Sequence, residues 1–293
     1  MAMRAAAFTE PGPPDVLTIL DVPTPQAGPG EVRVRVRAAG VQPYDAAIRA
    51  GWTPAYLTEH DWPRIPGNEF AGVTDDGAEV LGFSTLKSYA EYVVVPADQV
   101  TPKPVAMSWE VAGGFTAGAQ TAHIAIEELR ITSDDTILIH GAAGAVGTVA
   151  VQLAGLAGAT VIGTASEANQ DYVRSLGAIP VVYGDGLAGR VRDHKPTAVL
   201  DGAGGVAYDL SLELVEDHSR ILTLVEHGRA AEDGVRLTPP NRSDKRLAEL
   251  ATLYAEGKLS FHIRRTYELA QAADAHREIE TGHGRGKLVL TLE

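Results

Sequence analysis

The chain contains no cysteine. Disulfides, a thiolate nucleophile and every cysteine-based zinc site are therefore excluded. Positive charge is also in short supply, since 25 Lys and Arg face 38 Asp and Glu, a formal net charge of −13. Such a balance repels a nucleic-acid backbone or an anionic membrane surface unless a basic patch compensates, and the sequence carries no such patch. No stretch approaches the roughly 18 apolar residues of a spanning helix. The opening MAMRAAAFTEPGPPD has neither the apolar segment nor the cleavage site of an export signal. A cytoplasmic protein with no nucleic-acid and no membrane partner is the expectation. What is present, 45% hydrophobic and 22% charged residues over 293 positions, suits a globular chain with room for two ordinary domains.

Two textures divide the chain. From Glu31 to Arg37, EVRVRVR alternates strictly, with Val32, Val34 and Val36 on one face and Arg33, Arg35 and Arg37 on the other. This predicts a half-buried strand of an antiparallel sheet. Prolines and glycines punctuate its surroundings, and YAEYVVVP (89–96) adds a strand stopped by proline. After about residue 115, apolar runs of strand length alternate with helical patterns, as in βαβ units around a parallel sheet. The expected strands are Thr136–His140, Thr160–Thr164, Val181–Tyr183, Ala198–Asp201 and Ile221–Val225. Val146, Val149, Ala150, Leu153 and Ala157 recur at helical spacing, with Gly158 as the stop, and a helix near 167–176 ends at Gly177 in the same way. Further helices are expected after Asp244 and up to Ile279, before a closing strand, KLVLTL.

The strongest local signal is ILIHGAAGAVGTVAVQLA (137–154), a buried strand running through Gly141, Gly144 and Gly147 into a helix. A helix N-terminus offers unpaired N–H groups and a partial positive charge, and glycine admits a diphosphate to the backbone. The turn Gly141, Ala142, Ala143, Gly144, Ala145, Val146 and Gly147 is therefore the candidate dinucleotide-binding loop, although Ala142 replaces the first glycine of the usual G-x-G-x-x-G. The alternative is a turn that merely packs a helix on a sheet. At the end of the second strand, where an acidic residue would bond the ribose of NAD, the chain has Ala165 and Ser166. A small neutral pair leaves room for a 2′-phosphate and favours NADP. Ser166 and Asn169 can bond that phosphate; a helix cap is the other reading of Ser166. Tyr183 after the third strand, Gly202 after the fourth and Val225 at the end of the fifth sit where such sheets bind ligands.

Several segments in order resemble the medium-chain dehydrogenase/reductase family, specifically its zinc-independent quinone oxidoreductase-like branch. They are GPGEVRVRVRAAGVQPYDAAIRAG (28–51), PRIPGNEFAG (63–72), SYAEYVVVPAD (88–98), HGAAGAVG (140–147), RSLGA (174–178), DGAGG (201–205) and HGRGKLVL (283–290). The resemblance implies an α/β fold in which a Rossmann-type doubly wound parallel sheet (115–250) is inserted in a GroES-like β-barrel domain (1–114 and 251–293). It also implies hydride transfer from NADPH to a quinone or related conjugated carbonyl, a small-molecule substrate, and a homodimer formed by paired sheet edges, for which the apolar Ile221–Val225 is the expected place. Reduction of enoyl thioesters or other enones, and a non-catalytic NADPH sensor, are the alternatives.

Zinc-dependent relatives take ligands from cysteine and from the histidine of a PGHE segment. Here Asp45 stands at the cysteine position and Asn68 at the histidine, so no metal is expected, and His60, Asp61 and Glu69 read as loop residues and a structural carboxylate. The family's Asn-Pro-x-Asp segment appears as Gln42-Pro43-Tyr44-Asp45. Gln42, whose amide can bond an acceptor carbonyl or a ribose hydroxyl, and Tyr44, a phenolic donor, are the candidate catalytic residues. A turn residue and a packed aromatic are their alternatives. Thr121 matches the family threonine near the nicotinamide, or is a helix threonine bonded to its own backbone. Asp45, Trp52 and Tyr56 are assigned to the acceptor pocket, where flat side chains suit an aromatic acceptor; loop packing is the alternative for the aromatics.

Overall fold

The computed structural model describes residues 1–54 and 62–293. The strands are β1 (Ala2–Ala7), β2 (Thr18–Pro23), β3 (Glu31–Val41), β4 (Glu69–Thr74), β5 (Glu79–Phe83), β6 (Tyr92–Pro96) and β7 (Val100–Pro102), then β8 (Thr136–His140), β9 (Thr160–Ala165), β10 (Ile179–Val182), β11 (Ala198–Asp201), β12 (Ile221–Thr223) and β13 (Arg236–Leu237), and finally β14 (Ile263–Glu268) and β15 (Lys287–Thr291). The α-helices are α1 (Pro43–Arg49), α2 (Trp109–Glu128), α3 (Ala145–Leu156), α4 (Gln170–Ser175), α5 (Leu187–Arg192), α6 (Val206–Leu214), α7 (Asp244–Ala255) and α8 (Ala272–Ile279). Among the described residues no helix is long and apolar enough to cross a membrane.

The chain folds as two compact units, one of Met1–Ala117, Ser243–Glu256 and His262–Glu293, the other of Gly118–Arg242 and Gly257–Phe261. In the first, β3 organises the sheet. Its first half pairs with β6, its second half with β15, and its other edge with β4, all antiparallel. Beyond these, β5 and β7 extend one side and β14 lies parallel to β15. The predicted alternation holds, with Val34 and Val36 buried and Arg35 exposed. Those valines join Phe8, Ile48, Phe70, Tyr89 and Leu290 in one apolar core.

The second unit is a six-stranded parallel sheet in the order β10-β9-β8-β11-β12-β13. Counted from β8 this is 3-2-1-4-5-6, the Rossmann order, which opens a crevice at the carboxyl ends of β8 and β11. Its central strands are mainly apolar and buried, as in a sheet covered on both faces. Leu138, Ile162, Val199 and Ile221 form the core with Tyr208 from α6. Gly158 and Gly177 follow their helices with φ of +86° and +100°, the left-handed geometry that ends a helix without a Cβ penalty. One expectation fails here. Ile221–Val225 is no sheet edge, because β12 ends at Thr223 and lies between β11 and β13; the edges are β10 and β13. Strand order depends on the crossovers, which an apolar run does not encode.

Two glycines of α3 make opposite predictions. A Cβ on Gly147 would lie 2.6 Å from Ala142 Cα, inside the turn, whereas one on Gly155 meets nothing within 4 Å. Gly147→Ala should lose about 1–3 kcal/mol through overpacking, and Gly155→Ala should gain about 0.4–1 kcal/mol by restricting the unfolded chain. Urea unfolding of both variants checks the pair, and equal midpoints would contradict it.

Candidate functional site

In the second unit the site grows from the end of β8. Gly141 takes φ +76°, a conformation that an L-residue adopts only under strain, so the turn's left-handed position is Gly141 rather than the fingerprint position occupied by Ala142. Ala142 is buried, and its N–H donates to Thr164 O at 3.0 Å. It is tolerated because Gly163 lies opposite, where any Cβ would come within 2.8 Å of that of Ala142. Ala142 and the buried Ala143 therefore shape the loop, and the N–H of Ala142, a residue expected in the cofactor-binding loop, is already bonded to β9. Gly144 is the N-cap of α3 and supplies no side-chain cap, so the N–H groups of Ala145, Val146 and Gly147 begin the helix without one. Gly144, Ala145 and Val146 are half-exposed. A Cβ at Gly144 would touch only Gly141 O, at 3.3 Å, so the outer face of the cradle is open. Small residues, helix N–H groups and an open face fit a dinucleotide diphosphate.

Buried polar groups tie the strand ends together behind this loop. Asp201, the last residue of β11, accepts N–H bonds from Ala203 (3.0 Å) and Gly204 (2.8 Å) on one oxygen and the Thr223 hydroxyl (2.7 Å) on the other. The Thr223 oxygen in turn accepts the N–H groups of Val225 and Glu226, each at 3.1 Å. His140 Nδ1 meets the Thr164 hydroxyl at 3.1 Å. Burial holds the His140 imidazole down to about 4, against the opposing charge of Asp201. None of these four was singled out from the sequence, although each is a polar residue at or near the end of an apolar strand, a legible signal. Together they fix the loops that carry Gly202 and Val225, both exposed.

At the end of β9, Ser166 and Asn169 are brought together, Asn169 Nδ2 donating to Ser166 Oγ at 3.1 Å. Ser166 precedes a short 3-10 turn but makes no side-chain cap bond, so its hydroxyl is not spent on the helix. Tyr183 is half-exposed, and its N–H reaches Ala165 O at 3.2 Å, which places it beside that pair's strand. Thr121 is half-buried on α2.

In the first unit Gln42 precedes α1, and both hydrogens of its side-chain amide are committed, one to Asn68 Oδ1 and one to Glu69 Oε1 at 3.3 Å. Gln42 is thus no free donor for an acceptor carbonyl, which corrects that expectation. Glu69 is fully buried, 2.5 Å from Lys287 Nζ through Oε1, and its Oε2 accepts the Ala117 N–H at 2.6 Å. A Cβ on Gly40 would sit 2.6 Å from Glu69 Cδ, so only glycine leaves room for this pair. Tyr44 packs against the core and meets Trp52 edge-on, with ring centroids 5.5 Å apart; Trp52 is 51% exposed. Tyr56, like His60 and Asp61, lies outside the described residues. An open groove of about 450 Å³ between β7 and α7 is lined by alanines, prolines and threonines, with Lys103 already paired to Glu79, and offers none of this chemistry.

Asp45, expected along the acceptor pocket, is instead wholly buried. Its carboxylate accepts N–H bonds from Gly67 and Gln42, each at 3.0 Å, and the Tyr89 hydroxyl at 3.2 Å. It therefore locks α1 to the loop before β4 instead of meeting a ligand. Behind it Tyr89 OH lies 3.3 Å from His276 Nε2. Burial pushes the Asp45 carboxyl up to about 7 against Lys287 and the two N–H donors, and burial with Arg49 nearby holds His276 down to about 3. Between about pH 4 and 7 the folded chain keeps the Asp45 proton that the unfolded chain has released, so this group's contribution to stability falls as pH rises through that window. The depressed histidines act oppositely, losing stability as pH falls below about 6.5. Comparison with a variant isolates the carboxyl. Asp45→Asn should show a smaller loss of thermal stability from pH 5 to 7.5 than the parent, and parallel pH profiles would contradict the assignment.

Two family models match the chain: an alcohol dehydrogenase GroES-like domain over residues 28–85 and a zinc-binding dehydrogenase domain over residues 176–290. Among solved structures, the quinone oxidoreductase from Coxiella burnetii covers all of this chain and is itself fully covered, at 30% identity and a TM-score of 0.89. The quinone oxidoreductase of Mus musculus is 29% identical over 99% of this chain and 98% of its own length. A spectinabilin polyketide synthase system protein from Streptomyces orinoci is 32% identical over 92% of this chain, which spans only 14% of that much longer protein. With the Rossmann strand order, the β3-centred sheet and the glycine turn in place, the chain belongs to the medium-chain dehydrogenase/reductase family of oxidoreductases, in its quinone oxidoreductase-like branch.

Proposed function

We propose that this chain is an NADPH-dependent reductase of quinones or related conjugated carbonyl compounds, acting without a metal in the cytoplasm. The observation that carries the reading is the turn at 141–147, where a strand end, a left-handed glycine and the unpaired N–H groups of α3 form an open cradle for a diphosphate. Bound there, the cofactor would supply a hydride and the protein the orientation. Gly144, Ala145, Val146 and Gly147 hold the diphosphate in this reading, and Gly202 and Val225 flank it. The Ser166–Asn169 pair takes the 2′-phosphate, with Tyr183 beside it. Thr121, in the second unit, is assigned to the nicotinamide, and Tyr44 and Trp52, in the first, are assigned to a flat acceptor.

Quinones and enones suit such a site because the anion left by hydride addition is delocalised, so water suffices as proton source. The balance is one hydride and one proton added to the acceptor for each NADPH oxidised. Reduction of an enoyl thioester is the second reading, favoured by the similarity to a segment of a polyketide synthase. A homodimer belongs to the same proposal, with β13 rather than β12 as the sheet edge available for pairing.

The test is titration of the purified chain with NADPH and NADH by fluorescence, followed by NADPH oxidation with a panel of quinones, enones and enoyl thioesters. NADPH should bind more tightly than NADH, and turnover should survive a chelator. Ser166→Asp should weaken NADPH by about tenfold or more, because a carboxylate then opposes the phosphate, while NADH binding holds or improves. Binding of neither cofactor would defeat the proposal.

A further inference from the structure

We propose that Asp45, Tyr89 and His276 form a buried proton-linked switch, in which ionisation of the Asp45 carboxyl reverses the hydrogen bonds along the chain and changes the tautomer of His276. The inference lies wholly within the first unit and is independent of the cofactor and acceptor proposed above.

The three residues come from α1, from the segment before β6 and from α8, and none has exposed surface. The Tyr89 hydroxyl stands between the other two, 3.2 Å from Asp45 Oδ2 and 3.3 Å from His276 Nε2. A phenol has one hydrogen, so it donates to one of these neighbours and accepts from the other. The carboxyl's remaining contacts, the backbone N–H groups of Gln42 and Gly67, can only donate. A proton on the carboxyl must therefore point to Tyr89. At the opposite end, among the described residues, His276 Nδ1 is buried without a partner, so the imidazole tautomer is set by the bond at Nε2.

These constraints allow two arrangements. With Asp45 ionised, Tyr89 donates to Oδ2 and His276 Nε2–H donates to Tyr89, which leaves Nδ1 bare. With Asp45 protonated, the carboxyl donates to Tyr89 and Tyr89 donates to Nε2, so the imidazole hydrogen sits on Nδ1. Passage from the first to the second takes up one proton. It binds at Nδ1, the Nε2 hydrogen passes to the Tyr89 oxygen, and the Tyr89 hydrogen passes to Asp45. Only the carboxyl changes charge.

The surroundings favour that outcome over an imidazolium. Burial pushes the Asp45 carboxyl up to about 7, with Lys287 and the two N–H donors opposing the rise and Glu69 adding to it. Burial and the neighbouring Asp45 raise the Tyr89 phenol well above its ordinary value, and burial with Arg49 holds His276 down to about 3. Carboxylates on and around α8 are already matched: Glu280 by Arg49, Asp15 and Asp274 by Arg277, and Glu278 by Arg264 and Arg265.

Nitrogen-15 NMR of the full chain labelled at histidine tests the switch, with the His276 signals assigned by their loss in His276→Gln. Between about pH 8.5 and about pH 5.5 the hydrogen-bearing nitrogen should change from Nε2 to Nδ1, with a midpoint at about 7 and no imidazolium. An infrared band of a protonated carboxyl should grow with the same midpoint and be absent from Asp45→Asn. In that variant the His276 tautomer should ignore pH, and in Tyr89→Phe the carboxyl should still titrate while the tautomer stays constant. A parent whose His276 keeps one tautomer through the window, or gains a second proton, would overturn the switch, as would a tautomer change that survives Asp45→Asn. One that survives Tyr89→Phe would overturn the relay through the hydroxyl.

Discussion

A carboxylate with no exposed surface, Glu69, is the point on which the first unit turns. Removing a charge from water is costly, and a buried ion pair repays that cost only when its remaining hydrogen-bonding capacity is filled. Here it is filled by Lys287, the Ala117 N–H and Gln42. Those donors come from β15, from α2 and from the residue that precedes α1, so one side chain pins three elements around β4. Loss of either charge would leave its partner buried and unpaired, a defect worth about 3–5 kcal/mol. Gly40 on β3 completes the arrangement by contributing no side chain at all.

The second unit solves a related problem at the ends of its strands. A parallel sheet ends in loops whose backbone groups need partners, and polar residues placed at the strand ends supply them. Asp201 and Thr223 together satisfy four loop N–H groups, and His140, kept neutral by burial, bonds Thr164. The amides at the start of α3 receive no such side-chain partner from Gly144. In the proposed reading, this contrast, bonded loops beside uncapped helix amides, is what suits one place on the crevice to an anion. The neighbouring Ser166–Asn169 pair extends the same logic, since its hydroxyl is left out of helix capping.

What was legible in the sequence was local. Strands such as ILIH and AVLD declare themselves by composition, and Gly158 and Gly177 mark helix ends because only a residue without a Cβ takes positive φ cheaply. The glycine turn was legible for the same reason, even with Ala142 out of pattern, because the strand before it and the helix after it are each encoded nearby. What was not legible depends on distant partners. The position of β12 inside the sheet is set by crossover order. The burial of Asp45 is set by Gly67 and Tyr89, and the orientation of Gln42 by Glu69, whose partner Lys287 is in place only because β15 pairs with β3. A Gln-Pro-Tyr-Asp segment reads equally well as four ligand contacts. Only the packed chain divides it into an amide bonded to Asn68 and Glu69, an aromatic that meets Trp52, and an acid that locks the helix.

In the proposed reading, the asparagine that stands for histidine in PGNE carries more than the loss of a ligand. In zinc-dependent relatives a metal polarises the substrate oxygen, whereas a neutral amide donor is a much weaker electrophile. Hydride transfer to an isolated ketone would place a full charge on one oxygen and would demand the stronger partner. Addition to a quinone or an enone spreads that charge over several atoms, so no strong electrophile is needed. On that reading, the cysteine-free composition, an asparagine where a metal ligand would stand and a conjugated acceptor are one constraint, expressed first in the sequence and then in the chemistry the site would support.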